Sequence, residues 1–114
     1  MKLSNKQIIE FIAVSNGMGT KRLPLKLSFA LKRNRQLAED AIKPYNEEVK
    51  NAFEAHKDDE TKLNEIVSEL LKEDVELDIK TVPVEIIEKT EEEGYDVLTL
   101  GEVEAIGFMI DIEA

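Results

Sequence analysis

Cysteine is absent from this 114-residue chain, and with it go disulfides, thiolate metal sites and cysteine nucleophiles. Tryptophan is absent as well, and four Phe, two Tyr and one His are the only aromatic-ring side chains. No apolar run approaches the ~20 residues that span a bilayer, so no membrane contact is expected. The apolar cluster at residues 8–14 is interrupted by Glu10 and followed by no small-residue cleavage site, so it does not read as a targeting signal. A soluble, intracellular protein is the expectation, and a chain without cysteine is compatible with a reducing compartment. Acidic residues outnumber basic ones 25 to 15, a net charge of −10 that, as an average, disfavours nucleic acid as a partner.

What is present suffices for one domain spanning 1–114. With 42% hydrophobic residues, a chain this long buries roughly two-thirds of its unfolded surface without a metal or disulfide staple. The first helix is announced by Ser4 and Gln7, a capping box, with Leu3 and Ile8 placed to close a hydrophobic staple. It should run to about residue 16, where Gly17 can take a left-handed C′ conformation. Pro24 suits the start of a second helix. From 25 to about 56, Leu27, Leu31, Ala38, Ile42, Tyr45, Val49, Ala52 and His56 recur at helical spacing, interrupted only by Asn34. Pro44 lies inside that pattern and predicts a kink, or two helices meeting near Lys43. Asp58 or Asp59 can cap a third helix over 60–72, whose Leu63, Ile66, Val67, Leu70 and Leu71 form its apolar stripe. The short polar turn before it favours an antiparallel helical hairpin.

The period then changes to two. Val75, Leu77 and Ile79 alternate with charged residues over 74–80, the pattern of a half-buried strand. Residues 82–86 can continue as a second strand, confined to an edge by Pro83, or 84–90 can form a short helix. Glu91, Glu92, Glu93 and Gly94 read as an acidic turn and 95–98 as a short strand. Thr99 with Glu102 is a second capping box and Leu98 with Val103 a second staple, opening a last helix near Leu100. Its expected buried face is Leu100, Val103, Ile106 and Met109 or Ile110. The fold class is therefore α+β and mostly α: a helical hairpin, one long kinked helix plus an antiparallel partner, with a small β-element and flanking N- and C-terminal helices.

Little here carries chemistry. His56 beside Asp58, Asp59 and Glu60 is a weak metal or acid–base pattern; a His at a helix C-terminus, where positive charge suits the dipole, accounts for it. Gly17, Gly19, Thr20 and Lys21 resemble part of a phosphate loop, but a helix rather than a strand precedes them, and a helix stop explains the glycines. The pairs Glu76/Asp78 and Asp111/Glu113 alternate with apolar residues and should face water. Ser4, Ser15, Ser28 and Ser68 lack an activating partner or an elbow motif. No enzyme activity, cofactor or metal is expected.

Charge layout says more than its total. Residues 1–35 hold eight basic residues and one acidic, a net of +7, whereas 36–114 carry −17. Lys21, Arg22, Lys26, Lys32, Arg33 and Arg35 fall in a window with no acid at all. They form a candidate anion- or partner-binding segment, unless they pair with the chain's own carboxylates. No aromatic interleaving suggests base stacking. Alternatively the acidic surface can imitate a phosphate backbone in a basic cleft, or opposite charges can pair between copies. The helical seam Leu27, Leu31, Ala38, Ile42, Tyr45 and Val49 is a candidate self-association surface.

Leu3-Ser4-Asn5-Lys6-Gln7-Ile8-Ile9, Lys21-Arg22-Leu23-Pro24-Leu25-Lys26 and Lys43-Pro44-Tyr45, with Glu73-Asp74-Val75-Glu76-Leu77-Asp78-Ile79 and Leu98-Thr99-Leu100-Gly101-Glu102-Val103, resemble small proteins of unknown function encoded by tailed phages of Gram-positive bacteria. The resemblance covers most of the chain but rests on caps, a kink and a strand, so it implies a fold rather than catalytic residues. It implies a phage accessory protein acting in the bacterial cytoplasm by binding something; with the helical seam added, the leading expectation is a non-enzymatic protein–protein interaction protein that self-associates as a homo-oligomer. An anti-defence inhibitor of a host nucleic-acid-binding protein and a binder of phosphorylated small ligands are the alternatives.

Overall fold

The computed structural model describes residues 1–112. It is elongated, 54 × 24 × 20 Å, because the helices do not share one core. The N-terminal strand β1 (Lys2–Ser4) leads into helix α1 (Asn5–Gly17), which opens on the expected Ser4–Gln7 capping box. Gly17 is right-handed (φ −65°) and the chain runs on through a 3-10 turn, Met18–Thr20, rather than stopping in a left-handed cap. Met18 is buried in the core, and that burial draws the helix end inward.

Pro24 caps α2 (Leu25–Ala41), and α3 (Lys43–Ala55) follows after the single residue Ile42. Pro44 stands in the first turn of α3, where its missing N–H costs nothing, and the Ile42 N–H still donates to the Ala38 carbonyl and the Asn46 N–H to the Ile42 carbonyl, so the long pattern is realised as one rod bent at Ile42. Asp59 caps α4 (Glu60–Lys72) by accepting from the Lys62 N–H at 3.0 Å. Helices α3 and α4 form the antiparallel hairpin. Strand β2 (Asp74–Glu76) pairs antiparallel with β1 in the register Leu3↔Val75. β1 has no sequence signature, since three residues are too few to show a period.

Leu77 and Ile79 keep the inward alternation, but the ladder ends at Glu76. Both readings of the next segment are realised in turn. Strand β3 (Val82–Pro83) pairs parallel with β4 (Ile110–Asp111), and α5 (Val84–Glu88) follows with a 3-10 turn, Lys89–Glu91. Gly94 turns the acidic loop at φ +98°, a conformation that favours glycine. Residues 95–98 are not a strand: the Asp96 N–H donates to the Arg22 carbonyl, and its side chain accepts from the Arg22 N–H, which fastens an irregular loop. Helix α6 (Leu100–Ile106) begins with the second capping box. Ile106 and Met109 are fully buried, but Leu100, its first residue, is 76% exposed, because the helix turns its next positions inward.

The core gathers Ile8, Phe11, Met18, Leu27, Ile106 and Met109, with Leu3, Leu77, Val82 and Ile86 around them. Phe11 meets Phe108 edge-on at 5.0 Å. Of the hairpin, only Tyr45 touches this cluster; Ala52 and Leu63 are buried between α3 and α4 alone. The hairpin is therefore an arm, and it is tied down near its root by Asn5. The Asn5 side chain donates to the Leu70 carbonyl at 2.8 Å, and its N–H donates to the Glu73 carbonyl at 3.0 Å. No helix among the described residues is long and apolar enough to cross a membrane.

Candidate functional site

The seam read from helical spacing is divided by the fold. Leu27, Leu31, Ala38 and Ile42 are buried in this chain's own core, so in the folded protein they offer no surface to a second copy. Tyr45 and Val49, beyond the bend at Ile42, are half-buried on the arm. Across from them on α4, Ile66, Val67 and Leu70 are also only half-buried, and Phe53 is 57% exposed. A shallow depression of about 280 Å³ on α4 is lined by Lys62, Glu65, Ile66, Glu69 and Leu70, an aliphatic centre between a cation and two carboxylates. A two-helix layer has one neighbour per helix, and this one leaves a partly open apolar stripe.

Asn34, the polar interruption in the seam, is wholly buried. Its side-chain oxygen accepts from the Lys80 N–H and its amide donates to the Lys80 carbonyl, both at 2.8 Å. It thus stands in for a strand partner, satisfying both backbone groups of Lys80.

The six basic residues are not brought to one place. Lys21 turns inward, donating to the Val97 carbonyl and to Glu102 Oε1, both at 2.8 Å. Arg35 reaches Asn16 Oδ1 at 3.1 Å and Glu39 at 3.9 Å. Arg33 meets Asp78 at 3.3 Å in a solvent-exposed pair. Arg22, Lys26 and Lys32 have no carboxylate within ion-pair distance among the described residues. Self-pairing thus accounts for half of the segment. Of the remainder, Arg22 precedes α2 and Lys32 lines a small cavity with Lys21 and Arg35, while Lys26 shares the outer flank of α2 with Arg33 and with Phe29, 64% exposed, between them. The absence of aromatic interleaving is corrected here: one ring does interleave, at i, i+3, i+7 spacing.

Glu102 is the best-held carboxylate. Burial alone would raise it, but the Lys21 ammonium and the Thr99 N–H together outweigh that and hold it below the usual carboxylate range. A lowered folded value means stability that is present above the ordinary value and lost as pH falls through the folded one. Glu102→Gln keeps the capping acceptor and loses the charge. We expect it to cost about 1 kcal/mol at pH 7 and to converge on the parent as pH falls through the folded value of Glu102, read by urea melts at each pH. Glu76 is also lowered, by a hydrogen bond from the Met1 ammonium at 2.7 Å and by its charge.

His56 occupies the C-cap of α3, as a helix-end histidine would. Among the described residues, no three His, Asp or Glu side chains gather closely enough to hold a metal ion. Asp78 is exposed beside Glu76; Asp111 lies in β4, and its expected companion Glu113 is outside the described residues. Compared with protein-family profiles, curated proteins and solved structures, the chain matches none.

Proposed function

We propose that this protein is a non-enzymatic interaction module that associates with itself through the α3–α4 arm, in the manner of a phage accessory protein. The phage reading rests on the resemblance of the segments named above. The self-association reading is carried by one observation: a helical hairpin stands outside the core with its apolar stripe, Val49, Ile66 and Leu70, only half covered. Two such hairpins packed about a two-fold axis complete a four-helix layer, the usual way a hairpin covers its open side. The rim, Lys62 on one side and Glu65 and Glu69 on the other, carries the opposite charges that two copies can pair across such an interface.

Sedimentation equilibrium at several concentrations tests the reading. The parent protein should show a concentration-dependent monomer–dimer equilibrium. Ile66→Glu should shift it at least tenfold towards monomer with an unchanged circular dichroism spectrum. A parent protein that stays monomeric at hundreds of micromolar, or an Ile66→Glu variant that dimerises equally well, would overturn it.

A further inference from the structure

The outer flank of α2 faces the segment that carries Lys80 and β3, and between them lies a groove of about 390 Å³. Its size falls in the range of small-ligand sites. Ala30, Val82, Pro83 and the ring of Phe29 make its apolar lining, while Lys26, Arg33 and Lys80 supply three cations. No carboxylate lines it, in a chain where acids outnumber bases 25 to 15. Lys26 and Lys80 have no ion-pair partner among the described residues, and Arg33 has only the exposed Asp78, a pair that a stronger anion displaces at little cost.

We infer that this groove binds a nucleoside phosphate, the base lying on Phe29 and the phosphates between Lys26, Arg33 and Lys80. Two features each require half of that ligand. An exposed phenyl ring beside buried Ala30 and Val82 is a platform for a flat, weakly polar group, and any base has such a face. Three cations lining one groove call for several negative charges, which a di- or triphosphate supplies and a single carboxylate does not. The groove also limits the ligand's length. Chain leaving Pro83 enters α5, where Glu85 and Glu88 are exposed, so a long polyanion running out of the groove meets like charge. The fit is to a free nucleotide rather than a nucleic-acid strand.

The full chain, labelled with nitrogen-15, is titrated with ATP, with tripolyphosphate and with a ten-nucleotide single strand, following backbone amides by NMR. ATP at millimolar concentration should shift the amides of 26–33 and 80–82. Phe29→Ala, a change at an exposed position, should weaken ATP on the order of tenfold and leave tripolyphosphate unaffected. Lys80→Ala should weaken both. No shift in those amides with ATP would overturn the site. So would equal binding of ATP and tripolyphosphate with no effect of Phe29→Ala, which would leave a patch of cations only. Tighter binding of the strand than of ATP would overturn the assignment to a free nucleotide.

Discussion

Replacing Asn34 with leucine should destabilise the protein by about 3 kcal/mol, although leucine is apolar, similar in size and placed in an apolar core. The loss arises at Lys80. Its N–H and carbonyl give their hydrogen bonds to the Asn34 side chain and meet no strand there. With leucine in place both backbone groups lose their partner, at about 1–3 kcal/mol for each group that stays buried, and the added apolar burial returns only part of that. Asn34→Asp separates hydrogen bonding from size. The carboxylate still accepts from the Lys80 N–H but opposes the Lys80 carbonyl unless it is protonated. Burial and that opposition raise its folded value, so its contribution is present at low pH and lost as pH rises towards neutrality. Urea unfolding should therefore find Asn34→Asp closer to the parent at pH 4 than at pH 7. A leucine variant within 0.5 kcal/mol of the parent would show that the Lys80 groups find other partners.

Phe11→Ala should be the most damaging single truncation. The ring is wholly buried at the centre of the core cluster, and its edge-on contact with Phe108, in the 3-10 turn after α6, adds to its apolar burial. Removing a buried Phe costs about 3–5 kcal/mol, and an aromatic pair holds roughly 1 kcal/mol beyond area. Against a typical total of about 5–15 kcal/mol, that takes away from about a fifth to most of the stability. In a thermal melt the midpoint should fall by on the order of 15 °C. Phe11→Leu, which fills most of the volume, should lose less than half as much. Equal losses in the two variants would mean that the aromatic contact, not the volume, is what the core depends on.

The parts legible in the sequence are those set by neighbours in the chain. Ser4 with Gln7, Thr99 with Glu102, Asp59 before α4 and Pro44 in the first turn of α3 act over three or four residues, and the structure places each where its chemistry puts it. What spacing cannot tell is the owner of the opposite surface. Leu27 and Leu31 recur as a seam whether they face a second copy or α1, and they face the chain's own core. Residues 95–98 look extended, but a strand needs a partner, and Asp96 is engaged by Arg22 instead. At the groove, Lys26, Phe29 and Arg33 share one flank of α2 by simple helical geometry. Lys80 joins them only because Asn34 grips its backbone, a contact between distant parts of the chain that no local pattern records.

The arm has a thermodynamic consequence. With α3 and α4 outside the core, a helical hairpin of 13 residues a side is fastened mainly at its root, by Asn5 and by the join at Ile42. Helices this short are marginal by themselves, so the hairpin can fray or open while the core stays folded, a separate cooperative unit within one chain. Its tip, residues 56–59, is then the place to accept an inserted sequence, since a lengthened loop there strains only the arm. If two arms pack together, each stiffens the other. Folding of the arm and assembly of the dimer become a single equilibrium, and protein concentration sets how ordered that quarter of the molecule is.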